Sequence, residues 1–135
     1  MTVIVKDTGF AEEDLDMAIV PLKEATSRSE AVDLPSDTDP ASLAPLLPAL
    51  GLIRVDFPSF ADGRGFTIAR QLRLMGYRGR LRARGHVIAD QYAMARRAGF
   101  DEVEINDDLA RRQPEDHWLF RANWHVHDYQ SRLRG

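Results

Sequence analysis

Between Leu52 and Ile105, three short runs with period-two alternation are separated by two helical patterns, and the joins are short. Leu52–Asp56, Arg80–Arg84 and Glu102–Ile105 read as strands. Thr67–Met75 reads as a helix with Ile68, Leu72 and Met75 on one side and Gly76 as its stop. His86–Ala98 reads as a second helix, with Ile88, Tyr92 and Ala95 on one face and Gly99 closing it. A strand–helix–strand–helix–strand order with short joins requires a parallel sheet with right-handed crossovers. The expected fold class is α/β. Its parallel β-α-β-α-β core is either a partial (β/α) barrel or a small open sheet with helices mainly on one face.

The alternation carries more. One set of strand residues is Val32, Ile53, Val55, Leu81, Ala83, Val103 and Ile105; the other is Asp33, Arg54, Asp56, Arg82, Arg84, Glu102 and Glu104. Parallel strands covered by helices on both sides read as continuous apolar runs, because both faces are buried. These runs are half charged, so the helices are expected on one face only. The charged face is then either a solvated or subunit-facing surface laced with ion pairs, the latter as in a homodimer, or the concave side of a partial barrel with charges converging on a ligand.

The rest of the chain is less regular. Val3–Val5 and Ala31–Leu34 are short strands, residues 1–29 are otherwise expected to be irregular, and Pro35–Pro40 is turn chemistry. Ala41–Leu50 is a short helix interrupted by Pro45 and Pro48, and residues 107–135 are helical or irregular, divided at Pro114. At 135 residues, a single α/β domain is expected. A net charge of −3 does not favour a general nucleic-acid or anionic-membrane binder. The N-terminal residues lack a basic segment followed by a long apolar one, so a cytoplasmic location is expected. There is no cysteine, which rules out disulfides, thiol nucleophiles and thiolate-ligated clusters within this chain. No cofactor is expected.

Candidate functional residues cluster where the central strand hands over to a helix, in Asp56-Phe57-Pro58-Ser59-Phe60-Ala61-Asp62-Gly63-Arg64-Gly65-Phe66. A Gly-rich strand-to-helix turn exposes backbone N–H groups at the positive end of the helix dipole, which suits an anion. Arg64 between Gly63 and Gly65 would add a guanidinium, or Asp62 and Arg64 simply pin the turn. Neither a dinucleotide nor a phosphate-loop fingerprint is present. Asp56 and Arg84 fall at strand C-termini, where α/β ligand sites gather. Arg82 shares their face. Asp90 and Gln91 fall in the first turn of a helix, where Asp90 suits the helix dipole. The candidate anion- or partner-binding residues are thus Asp56, Asp62, Gly63, Arg64, Gly65, Arg82, Arg84, Asp90 and Gln91. No catalytic residue is identified. His125 and His127 are spaced like a metal-ligand pair, with His117 upstream, but too few further ligands accompany them and no metal is expected.

The ordered set Asp56-Phe57-Pro58, Phe60, Asp62-Gly63-Arg64-Gly65-Phe66, Ala69, Leu72-Arg73, Gly76-Tyr77, Gly79, Leu81-Arg82-Ala83, Gly85, Val87, Asp90-Gln91, Arg97 and Phe100-Asp101 resembles the signature of a bacterial family known as domain of unknown function 934. Upstream Val32–Pro35 and Leu43–Leu47, and Tyr129-Gln130 downstream, extend the resemblance over about residues 30–130. Members of that family lie beside assimilatory sulfite reductase genes, and some carry an oxidoreductase label. The resemblance implies a non-catalytic accessory factor of assimilatory sulfite reduction, whose partner is the reductase or its electron donor. The alternative is a small enzyme or ligand-binding domain for an anionic or phosphorylated small molecule. An enzyme should bring Asp56, Arg64 and Arg84 together in an enclosed pocket; an accessory module should leave them on an open surface or in ion pairs.

Overall fold

In the computed structural model, which describes residues 2–124, the strands are β1 (Thr2–Lys6), β2 (Gly9–Ala11), β3 (Ile19–Pro21), β4 (Ala31–Leu34), β5 (Leu52–Phe57), β6 (Arg80–Gly85) and β7 (Glu102–Asn106). The helices are α1 (Arg64–Leu74), α2 (Tyr92–Ala98), α3 (Asp107–Arg112) and α4 (Glu115–Leu119). All strands join one open sheet in the order β2-β1-β7-β6-β5-β4-β3. From β3 to β7 every neighbouring pair is parallel, whereas β1 is antiparallel to both β7 and β2. The expected core is therefore present, in its open-sheet form.

The strand order explains why one face lacks helices. Each crossover from β3 to β7 steps to the adjacent strand in the same direction. Crossovers of one hand that all step one way put their connections on the same side of the sheet. On that side Val32, Ile53, Val55, Leu81, Ala83 and Val103 pack against Ile68, Ala69 and Leu72 of α1 and Tyr92 and Ala95 of α2. Trp118 of α4 closes the end of this core and donates its indole N–H to the Gln113 carbonyl at 2.8 Å.

Four expectations need correction. Helix α1 starts at Arg64, three residues before Thr67. The Asp62 carboxylate accepts the Arg64 backbone N–H at 3.1 Å, which lets the helix begin there despite two nearby glycines. The segment read as a helix from His86 starts instead with a 3₁₀ turn, Ala89–Gln91, and becomes α-helical at Tyr92. Residues 1–29 hold more than the expected Val3–Val5 strand, since the short strands β2 and β3 also lie there. The edge strands β2 and β3 are three residues each and owe their extended shape to pairing with a neighbour, which leaves no local periodicity to read. Ala41–Leu50, expected as an interrupted helix, is two 3₁₀ turns, Pro40–Leu43 and Leu47–Ala49.

Strands β2 and β3 occupy opposite edges of the sheet, so the link between them, residues 12–18, must cross a face. It takes the helix-free one. Glu13 and Asp14 meet Arg82 and Arg80 there, and Met17 lies against Gly51. This strap covers the half of the charged face nearest the N-terminal ends of the parallel strands. No helix among the described residues is long and apolar enough to cross a membrane.

Candidate functional site

The strand register lines up Asp33, Arg54, Arg82 and Glu102 in one row and Asp56, Arg84 and Glu104 in the next. Acid and base therefore meet across the strands, and the side chains form a chain of ion pairs. Arg54 holds Asp33 through two hydrogen bonds of 2.6 and 2.7 Å and reaches Glu104 at 3.1 Å. Arg82 donates to Glu104 at 2.8 Å and to Glu102 at 2.6 Å. Arg80 continues the chain to Glu102 at 2.7 Å and to Asp14 of the strap at 2.9 Å. Glu13 closes over Arg82 with contacts of 2.6 and 2.8 Å, and the Arg82 side chain is 0 % exposed.

A buried ion is tolerated when its hydrogen bonds are complete. Every buried side-chain nitrogen and oxygen among the described residues has a partner. Burial works against the charge on Arg82, but the hydrogen bond with Glu13 and the charge of Glu102 outweigh it and raise its pKa above the ordinary arginine value. The hydrogen bond from Arg82 in turn holds the Glu13 carboxyl below its usual range. Arg82 is thus the centre of a structural network and faces no cleft.

At the other end of the same face the packing loosens. Arg84 is 47 % exposed and Asp56 41 %, and their closest approach is 3.8 Å. Arg84 reaches Glu104 no closer than 3.6 Å. Both residues line an open cleft of about 510 Å³ with Pro21, Leu22, Lys23, Asp33, Leu34 and Pro35. Gly85, which follows Arg84, has φ of 110°, and a Cβ there would meet the Phe57 carbonyl. That carbonyl accepts the His86 N–H at 2.9 Å, so the β5 and β6 ends stay clamped together beneath the cleft.

The glycine-rich turn lines no part of this cleft and meets Ser36, the residue after Pro35. Arg64 grips Asp62 with its Nε at 3.0 Å and Nη2 at 2.7 Å, and Nη2 also reaches the Ser36 hydroxyl at 2.8 Å. The pairing holds the Asp62 carboxyl far below the usual carboxylate range. The Arg64 side chain is nevertheless 60 % exposed, whereas Asp62 is 11 % exposed. Gly63 caps α1. Gly65 is buried in the first turn, where a Cβ would collide with the Phe57 ring. The space that Gly65 leaves is filled by protein, so that glycine serves packing. Phe60, 40 % exposed, stands at the tip of the loop with its ring edge-on to His86 at 5.0 Å.

Asp90 is exposed and pairs with Arg121 at 2.9 Å. Gln91 caps the 3₁₀ turn by accepting the Ile88 N–H at 3.0 Å, and donates to the Phe60 carbonyl at 3.2 Å. Asp56 and Arg84 thus share a cleft, Arg64 is locked to Asp62 on a separate loop, and Asp90 and Gln91 lie beyond that loop. The three residues whose convergence would mark an enclosed active site do not converge. Sequence reasoning missed Lys23, His86 and Ser36, and placed Phe60 in the candidate stretch without a role. Ser36 could have been found, since it follows a strand C-terminus; nothing around Lys23 distinguished it. Among the described residues no group of three or more histidine or carboxylate side chains could hold a metal ion, and His125 and His127 lie outside them.

Residues 31–134 match a family described as bacterial protein of unknown function (DUF934). The chain belongs to the DUF934 family. The match begins at β4 and takes in the whole run from β5 through α4, with both the cleft residues Asp56 and Arg84 and the Asp62–Arg64 turn. It leaves out β1, β2 and the strap. No curated protein and no solved structure matches the chain.

Proposed function

We propose that this DUF934 protein is a non-catalytic accessory factor of assimilatory sulfite reduction, docking on the reductase or its electron donor through the loop from Pro58 to Arg64. The observation that carries this reading is the state of Arg64. Its guanidinium is held by Asp62 and Ser36 through Nε and Nη2, yet it is 60 % exposed. A pre-ordered arginine loses little conformational entropy on binding, and arginine beside an exposed aromatic is the chemistry from which interface hot spots are built. Phe60 supplies that aromatic, and Gln91 holds its backbone. The ion-pair network supports a non-catalytic role, because Asp33, Arg54, Arg80, Arg82, Glu102 and Glu104 of the sheet face are engaged with one another. The pathway is what the family resemblance implies.

The test is binding of the purified protein to assimilatory sulfite reductase and, separately, to its electron donor. Arg64→Ala and Phe60→Ala should each weaken capture by about tenfold or more. Their melting temperatures should fall by only about 2 °C, as for surface changes. Normal affinity in the folded fraction of an early-melting Arg64→Ala would make Arg64 a pin for the turn and remove the docking role.

A further inference from the structure

We infer that the open cleft at the C-terminal ends of β3 to β6 is a binding site for a small monocarboxylate with an apolar body, anchored by Arg84. This goes beyond the accessory role and does not depend on it, since no residue of the Pro58–Arg64 loop lines the cleft.

Arg84 differs from the other arginines of its face. Arg54, Arg80 and Arg82 each donate hydrogen bonds of 2.6–3.1 Å to carboxylates. Among the described residues, Arg84 has carboxylates only at 3.6 and 3.8 Å, and its side chain is 47 % exposed. The reason lies with its neighbours. Glu104 is already engaged by Arg54 and Arg82, and Asp56 sits near the end of β5, half in solvent. The planar fork of Arg84 therefore keeps its donors for an incoming acceptor, and the acceptor that fits two parallel N–H groups is a carboxylate.

The walls select the rest of the ligand. Pro21, Leu22, Leu34 and Pro35 are apolar, and a volume of about 510 Å³ accommodates a body of several carbons. Lys23 adds a second cation and meets no carboxylate among the described residues. Asp33 is neutralised by Arg54, which leaves Asp56 as the loosely held carboxylate of the cleft. Two cations against one such carboxylate suit a single negative charge. A sulfate or phosphate dianion would face Asp56 and walls that cannot solvate it.

The probe is hexanoate, titrated into the ¹⁵N-labelled full chain and followed by amide NMR shifts. Saturable shifts are expected at Leu22, Lys23, Leu34, Asp56 and Arg84, with a Kd of about 1 mM. Hexanamide and sulfate should bind about tenfold more weakly or worse. Arg84→Gln should weaken hexanoate by about tenfold, and Arg64→Ala should leave it unchanged. Arg84→Lys keeps the charge but loses the fork, and should show nearly the same loss with an unaltered spectrum elsewhere. Absence of saturation, sulfate binding as tightly as hexanoate, or unchanged affinity in either Arg84 variant would overturn the assignment.

Discussion

Arg82 and Arg84 stand two residues apart on β6 and point the same way, yet one is sealed from water and the other is half exposed. They share a strand, a charge and the nearby carboxylate Glu104. What separates them is the strap, which brings Glu13 over the first and, among the described residues, no carboxylate to the second. An arginine in a sheet is therefore a structural ion or a free anchor according to what lies above it, and the alternation of the strands is the same in either case. The comparison also shows how a helix-free face can be dry at one end and open to a ligand at the other.

The sharpest way to break this comparison is to remove the sealed member. Arg82→Ala strands Glu102 and Glu104 in the interior without their shared cation, and losing one partner of a buried ion pair costs about 3–5 kcal/mol. A fall of roughly 10 °C or more in melting temperature is expected, read by circular dichroism. A stable Arg82→Ala would mean that the network contributes nothing to the fold.

A smaller effect should follow from loosening the strap. Glu13→Gln keeps the shape and drops the charge, and should cost about 1 kcal/mol, because Glu13 is partly exposed and Arg82 retains Glu102 and Glu104. The same contact predicts a pH dependence. The carboxyl of Glu13 lies below its ordinary value of 4.5 in the folded chain, so its contribution is complete above that value. It is lost as pH falls through the lowered folded-state value. Urea unfolding of wild type and Glu13→Gln should therefore differ at pH 7 and converge under acid conditions. A difference that persists at low pH would point to packing rather than charge.

The smallest effect belongs to the open end. Arg84→Ala should change stability by no more than about 0.5 kcal/mol, since its ion pairs are long and solvated. A loss comparable with that of Arg82→Ala would erase the distinction between the two ends.

Much of this contrast is legible in the sequence, and part of it is not. The alternation of Ile53-Arg54-Val55-Asp56 and Leu81-Arg82-Ala83-Arg84 reveals a sheet with one charged face, because period two is a local property of a strand. Which of those charges are buried depends on Glu13 and Asp14, whose partners are Arg82 and Arg80, far along the chain. No periodicity marks a strap, since it is neither helix nor strand and its contacts are all distant. The glycine-rich turn shows a similar limit. Its composition suggests a cradle, but whether Gly65 faces a ligand or the Phe57 ring is set by where the helix starts, and Asp62 moves that start to Arg64. Asp56 and Arg84 are legible from their place at strand ends, whereas Lys23, which also lines the cleft, follows an edge strand without a pattern of its own.

The place of β1 inside the sheet, one strand from its edge, has a consequence for how the chain is made. It is held on one side by β2, close in sequence, and on the other by β7, where Val5 pairs with Val103. A two-stranded β1–β2 hairpin is marginal by itself, so the first strand stays unseated until the last one leaves the ribosome. At synthesis rates of about 5–20 residues per second, that interval is on the order of 5–20 s. Throughout it, Ile4 and Val5, both 0 % exposed in the finished fold, are open to chaperones and to neighbouring nascent chains.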